Sequence, residues 1–302
     1  SCSGTATINA STFKKNFSLV ANDINISNAN SFAVTSGDVY IRKNAGGNNT
    51  WTGGNTFGNT NGEVAITNKG NGYLVLANTN GDTFNGIITL SDSSASSILY
   101  IAHNGTTNFN GDVQINNIST GGIQFGGSNG SSVFAGNKGL WAGSYINSPL
   151  ILNRLTESGT SSLQLAVNPT TLNVLNSTII TRFNATCQGA STINGSSFKS
   201  AFYLTATDVS MLNANSFATE TGGVVITKTA GGSNAWAGGN TFGNNADSVT
   251  IINKGNGYLL LGNSTGDTFN ASKIIFADSA ATATLYIAHS GTSNFNGDVT
   301  IY

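Results

Sequence analysis

His103 and His289 are the only histidines in the sequence, and each closes a Tyr-Ile-Ala-His tetrapeptide. A metal centre or catalytic dyad needs several ligands converging on one point, whereas these two occupy equivalent places in separate copies of a repeat. They read as turn histidines stacked on their neighbours. Cys2 and Cys187 are likewise one per copy. A disulfide needs Cα atoms within about 7 Å, so the two are not expected to join. Buried thiols are expected, with a lateral disulfide between neighbouring molecules as the functional alternative. Asp82 and Asp267 stand in Gly-Asp-Thr-Phe-Asn, and Asp112 and Asp298 in Phe-Asn-Gly-Asp-Val. Calcium would need several oxygens at once, so these aspartates are assigned to turn hydrogen bonding. Trp51 and Trp236 are candidate ligand-stacking residues, since sugars stack on exposed indoles; packing in the core or a turn is the alternative. Arg154, Glu157 and Arg182 fall in the least regular stretch and give a thin basis for catalysis. The chain is therefore expected to be no enzyme, with no catalytic residue, no metal and no cofactor.

The elements that position these residues are written in a repeat, and internal periodicity comes before any other reading of fold. Residues 51–59, Trp-Thr-Gly-Gly-Asn-Thr-Phe-Gly-Asn, return at 236–244 with one change, and Asn-Lys-Gly-Asn-Gly-Tyr-Leu stands unchanged at 68–74 and 253–259. The offset is 185 residues there and 186 at the two histidines. This gives a first long repeat over 1–185 and a truncated second copy over 186–302, expected to form one continuous rod within a longer polypeptide.

A shorter period lies inside the long one. Phe32, Phe57, Phe84, Phe109 and Phe134 are spaced by 25 or 27 residues, and Phe217, Phe242, Phe269 and Phe295 are their counterparts. Between them run alternating apolar pairs such as Val64/Ile66, Leu74/Leu76, Ile88/Leu90 and Leu99/Ile101, and alternation places such pairs on one face of a strand. Three short strands in about 25 residues, with the same apolar residues returning each time, specify an all-β parallel β-solenoid of the right-handed β-helix kind. The nine phenylalanines are its expected core stack, and the recurring Asn residues are expected to form hydrogen-bonded ladders. From 140 to 183 the alternation persists (Leu163, Leu165, Val167; Leu172, Val174) without clean Phe spacing, as in irregular coils. An antiparallel sandwich is the competing fold.

Composition agrees. Only 8% of residues are charged, the formal net charge is -1, and 38% are hydrophobic. Disordered chains combine low hydrophobicity with high net charge. The balance gives no basic face for nucleic acid, and no apolar run reaches the roughly 18 residues of a membrane span.

As a set, Gly-Gly-Asn-Thr-Phe-Gly-Asn, Gly-Asn-Gly-Tyr-Leu-Leu-Leu-Gly-Asn, Asp-Thr-Phe-Asn and Asn-Phe-Asn-Gly-Asp-Val resemble the repeat blocks of giant surface proteins of Bacteroidota, outside roughly 140–185. The resemblance implies export by type IX secretion, an extracellular or cell-surface location, and a part in attachment or gliding motility as an adhesin or filament. Asp247-Ser248-Val249 and Asp278-Ser279-Ala280 also resemble the O-glycosylation signal of that phylum. The expected function is a structural segment of an extracellular fibre or adhesin stalk. Its expected partners are further copies of the repeat, lateral or end-to-end self-association, and surface polysaccharide. The alternative is a carbohydrate-binding or polysaccharide-degrading β-helix protein.

Overall fold

The computed structural model describes residues 1–94, 96–117, 119–135, 138–142, 148–158, 164–279 and 282–302. All regular structure among them is β, every described strand pairing is parallel, and the strands stack as a β-solenoid. Among the described residues the solenoid makes about 11 turns of about 24 residues each. Two compact units divide between Ser161 and Ser162. The sequence repeat restarts later, at 186, so the second copy lies wholly inside the second unit.

Each coil contributes to three faces. The first carries strands of three to eleven residues, such as Glu63–Asn68, Ile87–Asp92 and Ser248–Asn253, whose alternate side chains are buried. The second carries mostly two-residue strands of the Ser/Thr-Phe kind, such as Ser31–Phe32, Thr56–Phe57 and Thr241–Phe242. The third carries strands such as Leu74–Val75, Leu99–Ile101 and Ile123–Phe125. The faces need sharp corners, and small or Asn residues at positive φ supply them. Asn28, Ala77, Ala102 and Asn213 adopt φ of 54 to 58° at the corner after the third face. At Gly53, φ is 92° and a Cβ would stand 1.8 Å from the carbonyl oxygen of Asn80, so only glycine fits.

In the first unit Phe32, Phe57, Phe84, Phe109 and Phe134 pair in register coil upon coil. Their rings lie nearly parallel, with centroids 4.8 to 5.3 Å apart. In the second unit Phe198, Phe217, Phe242 and Phe269 do the same at 4.9 to 5.4 Å. Each buried ring contributes about 1.5–3 kcal/mol, and aromatic pairing adds about 0.5–1.5 kcal/mol per pair. Phe295 continues the stack on Phe269 at 5.1 Å and, in the last described coil, is 37% exposed.

The coils are less uniform than the 25-residue period implies. Phe13 pairs with Phe32, Ile179 with Phe198, and Phe198 with Phe217, each 19 residues on. The difference lies in two turns: residues 199–201 separate Phe198 from Phe202, whereas 218–223 separate Phe217 from Val224. Between Phe202–Ala206 and Asp208–Leu212 only Thr207 intervenes, whereas residues 229–233 separate Val224–Lys228 from Asn234–Ala235. Residues 140–183 hold described strands of the same three kinds, including Leu150–Asn153 and Leu172–Leu175. Leu163 lies outside the described residues.

Candidate functional site

Along the core, one polar column runs beside the phenylalanines. The residue two before each stacked Phe is Ser, Asn, Asp or Thr, and in most coils its side chain accepts the backbone N–H of its counterpart one coil earlier; Ser132, two before Phe134, is the exception, its Oγ buried without a partner. Ser11 N donates to Asn30 Oδ1 (2.8 Å), Asn30 N to Asn55 Oδ1 (3.1 Å), Asn55 N to Asp82 Oδ1 (2.9 Å) and Asp82 N to Thr107 Oγ1 (3.3 Å). The second unit repeats it: Ser177 to Ser196, Ser196 to Asn215, Asn215 to Asn240, Asn240 to Asp267 and Asp267 to Ser293, at 2.9 to 3.2 Å. These bonds satisfy buried amides at a corner where the backbone ladder is interrupted. Burial pushes the Asp82 carboxyl up to about 7, against the two hydrogen bonds it accepts from Asn55; Asp267 moves in the same direction for the same reason.

A second polar column occupies the end of the first-face strands. Lys43, Asn68 and Asp92 are in register on three successive coils and are all fully buried. Lys43 Nζ donates to Asn68 Oδ1 (3.3 Å) and to the carbonyl of Gly72 (3.2 Å), which also accepts from Asn68 Nδ2 (3.2 Å). Lys228, Asn253 and Asp278 form the same register in the second unit. There Lys228 Nζ donates to Ala230 O (2.6 Å) and Gly257 O (3.3 Å), and Asn253 Nδ2 to Gly257 O (3.2 Å) and Asp278 Oδ1 (3.5 Å). The coil preceding each lysine has alanine at this position, Ala21 and Ala206. The lysine therefore enters where the longer turn begins, and that turn folds over it. Burial lowers the basicity of Lys43, against the pull of Asp23 and Asp92. It pushes Asp92 up to about 6, against hydrogen bonds from Ser94 and the Asn68 side chain and the charge of Lys43.

Trp51 and Trp236 are 0% exposed, and their indole N–H groups donate to Ile24 O (2.9 Å) and Val209 O (2.8 Å). Both are core residues bridging coils, so the ligand-stacking role is corrected: a sugar has no face of either ring to meet. Exposed tyrosines, Tyr73, Tyr258 and Tyr286, stand in two equivalent surface clusters. Tyr73 and Tyr100 meet edge to face at 6.3 Å, as do Tyr258 and Tyr286, and His103 and His289 close each cluster at 5.4 Å from the second tyrosine. A surface recess runs from Tyr73 and Tyr100 to Asn48, Asn71 and Ser96. The signal for these residues was Gly-Asn-Gly-Tyr and Tyr-Ile-Ala-His, present in both copies.

Cys187 is buried, with Sγ 3.4 Å from the carbonyls of Thr170 and Ala190, and burial raises its thiol pKa. Cys2 is exposed, contrary to expectation, because it lies in the first strand and no described coil covers it. Asp112 accepts from Gly139 N (3.2 Å), while Asp298 is exposed in the last strand. Arg154 donates to Ser128 O (2.7 Å), Glu157 is buried, and Arg182 lies over the Tyr203 ring at 4.6 Å. Ala280, part of the second Asp-Ser-Ala triplet, lies outside the described residues. Among the described residues no group of three or more His, Cys, Asp or Glu is placed to hold a metal, and no helix is long and apolar enough to cross a membrane.

Comparison with protein-family models, with curated proteins and with solved structures finds no match for the chain.

Proposed function

We propose that the chain is a structural repeat segment of an extracellular fibre or cell-surface adhesin stalk, serving attachment or gliding motility. One observation carries the reading: in both units the core residues of successive coils lie in register, repeatedly Phe on Phe and Asn on Asn or Asp. Such a stack is extended by adding copies, and its stability is a sum over neighbouring coils. The resemblance to giant surface proteins of Bacteroidota supports the location, and further copies of the repeat are the natural partners. A second reading, binding of surface polysaccharide, is favoured by the paired tyrosines, whose exposed rings border Asn and Ser side chains able to bond hydroxyls.

The test is electron microscopy of producing cells labelled with an antibody against residues 51–74. Label spaced along filaments projecting from the surface is the expected result. Label found only in the medium, with no filaments, would overturn the stalk and leave a secreted binder.

A further inference from the structure

The Lys43, Asn68 and Asp92 column is more than a way of filling a wide turn. We propose that Lys43 and Asn68 join covalently in the folded chain, through an isopeptide bond whose proton transfers run through Asp92. The amine Nζ attacks Cγ of Asn68, the Cγ–Nδ2 bond breaks, and ammonia leaves. Asp92 gives a proton to the departing nitrogen and recovers one from Nζ. The atoms balance with no oxidant, metal or cofactor: an amine and a primary amide become a secondary amide and ammonia.

The geometry supplies each requirement. Nζ lies 3.3 Å from Asn68 Oδ1, and Nζ and Nδ2 share one acceptor, the Gly72 carbonyl, so the amine is held beside the amide it attacks. Fixing the partners at this separation makes the reaction effectively unimolecular. All three side chains are fully buried, which keeps water from competing. Gly70 roofs the amine: a Cβ there would stand 2.4 Å from Nζ, and one at Gly255 would stand 2.5 Å from Lys228 Nζ. The nucleophile must be a neutral amine and the shuttle a protonated acid. Burial pushes both groups that way, and moving one proton from Lys43 to Asp92 makes both neutral. Asp92 accepts from Ser94 N (3.0 Å) through Oδ1, while Oδ2 is buried with no hydrogen-bond partner and is free to carry the proton.

The same three residue types return as Lys228, Asn253 and Asp278. There Asn253 Nδ2 already donates to the carboxylate at 3.5 Å, and Asn253 Oδ1 is buried without a hydrogen-bond partner. Lys228 Nζ, however, bonds only the carbonyls of Ala230 and Gly257 and Asp278 is half-buried, so the bond is proposed at the first site alone. It would tie neighbouring coils across a loop of about one turn.

The experiment is intact mass spectrometry of the full 302-residue chain, followed by tryptic mapping. The expected deficit is about 17 Da, since the amine displaces one ammonia. Digestion should yield a branched peptide joining the segment with Lys43 to the segment with Asn68, and the two results together confirm the bond. Lys43→Arg should restore the mass at the first site. Asp92→Asn should remain folded by circular dichroism yet stay unlinked; linkage at the wild-type rate would overturn the shuttle. An unmodified mass overturns the proposal. So does a deficit that persists in Lys43→Arg without a branched peptide, which marks succinimide formation at an Asn-Gly step.

Discussion

At the scale of single residues, the buried aspartates of the Asn ladder carry a consequence for pH. Asp82 takes the place that Asn30 and Asn55 hold on earlier coils, yet it can ionise. Its folded carboxyl is raised from 3.8 to about 7 by burial. The folded chain then holds a proton that the unfolded chain has released, so the contribution of Asp82 is fully present below about pH 4 and is lost as pH rises through about 7. Asp267 acts in the same direction. The double variant Asp82→Asn/Asp267→Asn keeps the acceptor for Asn55 and Asn240 while removing the charge. Its thermal midpoint should match the parent at pH 4 and exceed it at pH 8, by an amount on the order of a few kcal/mol in stability. Thermal unfolding followed by circular dichroism at the two pH values measures this, and a lower midpoint at pH 8 would contradict it.

At the scale of the coil, the core is a set of local contracts between neighbours. Phe57 is fully buried between Phe32 and Phe84, while Phe295 has a neighbour on one side only. Phe57→Ala should cost about 3–5 kcal/mol locally, and Phe295→Ala distinctly less. Hydrogen exchange reads this by place: protection at Ser31–Phe32 and Thr83–Phe84 should fall in the first variant and hold in the second. Equal loss over the whole chain in both would show that the coils are not locally held. The phenylalanine spacing made this architecture readable, because one large residue type marks one corner of each coil. The Asn ladder was readable in kind for a similar reason. The 19-residue coils were not, since Ile179 replaces Phe and two turns shorten, to residues 199–201 and to Thr207. The Lys43, Asn68 and Asp92 column also escaped, because its members lie about one coil apart along the chain and only the register of the first face aligns them. The tryptophans misled for the opposite reason: an indole beside glycines suggests a surface platform, but its N–H is spent on a backbone carbonyl inside the core.

At the scale of the whole molecule, the central claim is that no single centre holds the chain together. Stability is distributed coil by coil through the Phe stack, the Asn ladder and, under the proposal above, a covalent rung in the first unit. A segment of this design suits a fibre under tension, because damage stays local and length is set by repeat number. The most direct measurement is single-molecule extension of the chain held by its two ends. The account predicts successive release events of about one coil each, about 24 residues or about 80 Å of extended chain at some 3.4 Å per residue. The residues enclosed by a Lys–Asn rung should not lengthen at all. Release of the entire chain in one event, as from a single cooperative core, would contradict it.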